Sequence, residues 1–111
     1  MTAITDQFMK DTIAKAKRYA IVILKKGPAF DAGNTEHLIW EHGRRNFELR
    51  AAGLLPIVCP VNDKSEVCGI AIFTGSGEEV HKIMDGDPAV AANIFVYEVH
   101  ACRSFPGDAL P

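Results

Sequence analysis

The sequence predicts an α+β domain in which four strands and two main helices follow one another as β-α-β-β-α-β, with one extra helix in front. Three observations carry this expectation. Apolar, β-branched runs stand near both ends, YAIVIL at 19–24 and IFVYEV at 94–99, and read as strands. Two further apolar runs, LLPIVCPV and VCGIAIFT, flank the polar turn VNDKSE at 61–66 and make a hairpin. Between the hairpin and each outer run lies a stretch with helical periodicity. That order is the split-βαβ, or ferredoxin-like, pattern.

Each element has its own signals. Ala3 to Ala16 alternates Ile4, Phe8, Met9 and Ile13 with Asp6, Gln7, Lys10 and Lys15, so it is expected to be a short amphipathic helix whose apolar stripe needs a surface to cover. The nearly continuous apolar run within Arg18–Lys25 is the first strand, covered on much of both sides. KGPAFDAG, residues 26–33, is a loop, and Asn34 or Thr35 is expected to cap the helix that follows. That central helix runs from Glu36 to Gly53, where the glycine closes it in the left-handed conformation. Pro56 and Pro60 mark the second strand as an edge or a bulge. Gly69 and Ala71 in the third strand are small enough to leave room beneath the central helix. Ser76, with Glu79 three residues later, is a capping-box signature for a helix to about Met84. Pro88 starts another helical turn, and Ile94–Arg103 returns to strand. Residues 1–17 therefore form a helical extension, 18–105 the body, and the Pro- and Gly-rich 106–111 a surface tail. Two helices cover only one sheet face, so the apolar other face is expected to meet a second copy in a two-fold dimer.

Composition narrows the function. A chain of 111 residues holds one core, and a net charge of -2 gives no electrostatic footprint for nucleic acid. The apolar stretch Ala20–Leu24 is too short to span a bilayer and no leader pattern precedes it, so neither a membrane nor a nucleic-acid partner is expected, and the cytoplasm is the expected compartment. Cys59, Cys68 and Cys102 are an odd set without a CxxC pair; reduced core thiols are expected, not a disulfide between Cys59 and Cys68 across the hairpin. His100 and Cys102 share a strand face, but no third ligand is placed, so no metal is expected. TGSGEE at 74–79 lacks the Walker lysine and the GxGxxG spacing and reads as a turn with a cap. No GxSxG nucleophile motif occurs, and His37 and His81 fall at solvated helix positions.

The chemistry concentrates in the central helix. With Leu38 at zero and about 100° per residue, His37, Glu41, Arg44 and Glu48 cluster on one solvated side. His42 falls at about 40°, beside Leu38, Leu49 and Gly53 on the face a helix lays against its sheet, with Arg45 just off that stripe. A second apolar stripe, Trp40, Phe47 and Ala51, is a candidate dock for the N-terminal helix, as is a partner subunit. A histidine facing inward is either a hydrogen-bonded core residue or, with a carboxylate partner, a general acid or base. The sequence has to supply that partner; Asp85 and Asp87 flank Gly86 in DGDPAVAAN, where either could cap the turn that Pro88 starts.

Two segments carry a family resemblance: HGRRNFELRAAGLL, in which His42 precedes Gly53 by eleven positions, and the Asp87-Pro88 pair in DGDPAVAANIFVYEV. Over 18–105 the chain resembles the YCII-related proteins of the dimeric α/β-barrel superfamily. The resemblance implies a dimeric barrel and a histidine–aspartate acid/base dyad at a small cavity, carried over to His42 and Asp87. One branch of that family removes chloride from a chlorinated hydroxyhydroquinone. The chain departs from the family pattern in its N-terminal helix and in CPV, where Gly-Pro often follows the second strand. The expected function is proton transfer on a small hydroxylated or enolisable compound, of lyase, dehydrochlorinase or isomerase type, without a cofactor. Arg45 would steady a developing enolate or phenolate in the substrate, unless it forms a surface ion pair. The alternatives are a non-catalytic ligand-binding or interaction module, with His42 hydrogen-bonded in the core, and a monooxygenase-like member of the superfamily.

Overall fold

The computed structural model describes residues 2–111; Met1, the first residue of the expected extension, lies outside them. The elements are α1 (Asp6–Ala14), β1 (Lys17–Lys26), α2 (Glu36–Ala51), β2 (Ile57–Pro60), β3 (Val67–Phe73), α3 (Gly77–Asp85), α4 (Pro88–Ala91) and β4 (Phe95–Ser104). All pairings in the four-stranded sheet are antiparallel and the order is β2-β3-β1-β4. Chain order and sheet order together are those of the ferredoxin-like α+β fold. The proline-bearing β2 is a short edge strand, as Pro56 and Pro60 require.

The register assigns each residue a face. Ala20, Val22 and Leu24 of β1 stand beside Phe73, Ala71 and Gly69 of β3 and beside Ala101, Val99 and Tyr97 of β4. Except for the exposed Ala101, they build the core beneath the helices with Leu55, Val80, Met84, Ala89, Ile94 and Phe95. The opposite face carries Ile21, Ile23, Ile70 and Ile72, none of them fully buried. The first strand is thus covered on one side only, whereas the sequence suggested both, because a continuous apolar run reads the same whether its second face meets a helix or a partner. No helix among the described residues is long and apolar enough to cross a membrane.

Helix ends follow local chemistry, with one exception. Gly53 has φ of 78°, and the N–H groups of Gly53 and Leu54 donate to the carbonyls of Arg50 and Leu49 at 3.0 Å each, a Schellman closure. Ser76 Oγ accepts from the Glu79 N–H at 3.2 Å. At the start of α2 Thr35 is the cap residue but makes no side-chain hydrogen bond, because its backbone is already helical, and Asn34 adopts φ of 56° instead. The expected side-chain cap is therefore absent among the described residues. A cap needs an extended backbone to point its oxygen back at the first turn.

Two other expectations change. α1 buries none of its residues, so its apolar stripe does not lie on Trp40 and Phe47 of the same chain, which are 69% and 62% exposed. Cys59, expected in the core, is exposed, while Cys68 and Cys102 are half-buried; all three are free thiols. Cys59 stands opposite Ile70 on the open sheet face, so strand parity, which a residue count through Pro56 and Pro60 did not fix, carries it outward.

Candidate functional site

The site is assembled at the turn between α3 and α4. Pro88 starts α4, and Asp87 at its N-cap has an extended backbone, so its carboxylate reaches back over the first turn. Oδ1 accepts from the Ala89 N–H at 2.9 Å and the Val90 N–H at 3.3 Å. Oδ2 is left over, and it accepts from Nδ1–H of His42 at 2.7 Å. The carboxylate is 1% exposed. Burial opposes its charge, but the His42 hydrogen bond, the His42 charge and the two backbone N–H groups outweigh burial and hold the Asp87 carboxyl below the usual carboxylate range.

That network also fixes the imidazole. An ionised carboxylate only accepts, so the proton of neutral His42 sits on Nδ1 and Nε2 keeps its lone pair. Nε2 accepts from the Nδ2–H of Asn46 at 3.3 Å, one turn further along α2. The ring packs tilted against Phe95 with centroids 5.0 Å apart. The ring is held by one polar neighbour on each nitrogen and by an aromatic wall, and Nε2 is placed for proton transfer once the Asn46 N–H gives way to a substrate.

His42 and Asn46 line a cavity of about 260 Å³ between α2 and the sheet. Val22, Leu24, Gly69, Ala71 and Phe73 form its floor, and the small Gly69 and Ala71 leave the space that a larger side chain would fill. The walls are otherwise almost wholly apolar, apart from Cys68, whose thiol burial pushes up and so keeps protonated and weakly nucleophilic at neutral pH.

The structure brings His42 and Asp87 together and places the other sequence candidates elsewhere. Asp85 Oδ1 accepts from the Tyr97 O–H at 2.6 Å, and burial together with that bond pushes the Tyr97 phenol up to about 12. Arg45 does not line the cavity. Its Nη1 lies 3.9 Å from Asp87 Oδ2, behind the dyad, and is buried with no hydrogen-bond partner among the described residues. His100 Nε2–H donates to Glu98 on the open sheet face at 3.0 Å, away from the cavity. No group of three His, Cys, Asp or Glu side chains suited to a metal ion occurs among the described residues. Asn46 escaped the sequence reading, although its place four residues after His42 put both on one helix face.

No protein-family model matches the chain, and no curated protein matches it. Solved structures do match. One is 5-chloro-2-hydroxyhydroquinone dehydrochlorinase from Burkholderia phenoliruptrix AC1100 in complex with 2,5-dihydroxybenzoquinone, with a TM-score of 0.51 and 20% sequence identity over 74% of this chain and 90% of that one. At that identity the likeness speaks for the fold: the chain shares the α+β architecture of a dehydrochlorinase.

Proposed function

We propose that the chain is a small acid/base enzyme in which Nε2 of His42 takes a proton from a hydroxyl or acidic carbon of a small, flat, hydroxylated compound bound in the cavity. The observation that carries this reading is the chain of contacts from the two backbone N–H groups through Asp87 and His42 to a basic nitrogen held by Asn46 at an apolar cavity. Asp87 fixes the tautomer and stabilises the imidazolium that forms. Apolar walls exclude water and strengthen both interactions. In a dehydrochlorination the substrate would lose one proton to His42 and one chloride, which departs with the C–Cl electron pair. Arg45 is assigned to support of Asp87, a cation beside a buried carboxylate, and not to substrate contact. The resemblance to YCII-related proteins, and the dehydrochlorinase of like fold bound to a dihydroxybenzoquinone, support this substrate class. The apolar open sheet face supports assembly as a face-to-face dimer, a dimeric α/β barrel.

The test is oxygen-free incubation with chlorinated and unchlorinated hydroxyhydroquinones, reading chloride release and quinone absorbance for wild type and His42→Gln. Turnover by wild type and a loss of about 10²–10⁴-fold in the folded variant is the expected result. Equal binding of 2,5-dihydroxybenzoquinone by both proteins, with no turnover by either, would make the chain a binding module. A reaction that needs oxygen would instead favour monooxygenation.

A further inference from the structure

Two unpartnered apolar surfaces on this chain fit one another. α1 buries none of its residues, and Ile4, Phe8, Met9 and Ile13 are 59%, 53%, 47% and 50% exposed. On the flank of α2 beside its sheet-facing side, Ile39, Trp40, Gly43 and Phe47 shape a groove of about 470 Å³, because Gly43 leaves a gap between two exposed aromatic rings. Exposed large apolar side chains concentrated on two facing-compatible helices mark an interaction surface.

We propose that α1 is an exchanged arm, docking antiparallel in the Trp40–Phe47 groove of a second copy of this chain. Charge placement favours that occupant. Glu36 stands at one end of the groove and Arg44 about one turn short of the other, eight residues and so about 12 Å apart along the axis; Arg44 also pairs with the exposed-side Glu41 at 3.2 Å. Asp6 and Lys15, at opposite ends of α1, are nine residues or about 13.5 Å apart. Laid antiparallel, Asp6 meets Arg44 and Lys15 meets Glu36, and the two helix dipoles oppose favourably. The arm does not occupy the groove of its own chain, since α1 buries none of its residues and Trp40 and Phe47 stay exposed. The groove shares Ile39 and Gly43 with the wall of the His42 cavity, but the docking does not depend on the chemistry of His42.

Trp40 is the single tryptophan, so the groove reports on itself. Trp40→Gln gives a protein that is silent in tryptophan fluorescence and keeps a working arm. Phe8→Asp/Ile13→Asp gives one that keeps the groove and loses the arm, through two half-exposed residues whose change leaves the core intact, as circular dichroism checks. Titrating the first into the second should shift the Trp40 emission to shorter wavelength, saturably, while the second protein alone stays unshifted at all concentrations. Face-to-face dimerisation through the open sheet leaves Trp40 in water and produces no such shift, so the two assemblies are separable. No shift on mixing overturns the proposal. So does a silent mixing experiment in which wild type instead cosediments with phosphatidylglycerol vesicles, which would make α1 a membrane-surface helix.

Discussion

Replacing Asp87 with Asn tests the core of the site, since the side chain keeps its shape and loses its charge. The amide oxygen can keep the Ala89 and Val90 N–H bonds, because Asn caps as well as Asp. What is lost is the charge-assisted bond at 2.7 Å to His42 and the anion facing Arg45. A hydrogen bond to a charged group is worth about 1.5–3 kcal/mol, so a loss of about 2–3 kcal/mol at neutral pH is expected, a fall in Tm of roughly 8–13 °C for a domain of this size. Because the folded carboxyl titrates below its unfolded value of about 3.9, its stabilisation is complete above that value and disappears as pH falls through the folded one. The gap between wild type and variant should therefore be fully open above about 3.9 and close as pH falls through the lower, folded value of Asp87. Urea unfolding followed by circular dichroism reads it. The variant also turns an N–H₂ toward Nδ1, so the His42 proton must move to Nε2 and Asn46 must flip. Nitrogen-15 shifts of the ring report this directly. Equal stability of the two proteins, or an Nε2–H tautomer already in wild type, would refute the assignment of Asp87 as the group that orients His42.

Three further outcomes are expected. A Cβ on Gly27 would lie 2.4 Å from the Asn93 carbonyl oxygen, so Gly27→Ala should push the end of β1 off the 93–94 segment, weaken the Gly27–Ile94 and Ala29–Asn93 backbone bonds, and cost about 2–4 kcal/mol in urea unfolding. Tyr97 should ionise only near pH 12 in an absorbance titration, with that late step absent from Tyr97→Phe; the bond to Asp85 holds while the phenol is neutral and is lost as pH rises through that value. Ala71→Leu projects an isobutyl group into the cavity of about 260 Å³, and should weaken quinone binding more than tenfold, read by calorimetry, while Tm stays level or rises because the added methyl groups are buried.

Much of this molecule was legible in its sequence because strands and helix ends are encoded locally. Gly53, Ser76 and Pro88 each impose a backbone state on their own, and the structure shows each in it. The inward direction of His42 followed from the helical period, and its pairing with Asp87 from the resemblance, since spacing alone left Asp85 equal. Choosing between the two needs the direction of the turn around Gly86, which is a tertiary property: Asp87 becomes a cap facing α2, and Asp85 turns to Tyr97. Arg45 lies behind the dyad because a residue three positions past His42 is displaced by about 60° on the helix, enough to move a long side chain from the cavity to its rear wall. Cys59 was misjudged because hydropathy reports that a residue is apolar and not what covers it.

The first and last residues of the sheet, Lys17 and Ser104, are register partners on neighbouring strands, which places them about 5 Å apart. The body of the domain thus begins and ends at one point. A handful of residues would join those ends into a ring, and new termini could open in the exposed turn at 61–66 without cutting a strand, so circular permutants should fold. For the same reason the domain can be inserted into a surface loop of another protein without prising that loop apart, and two copies can be strung on one chain with a short tether.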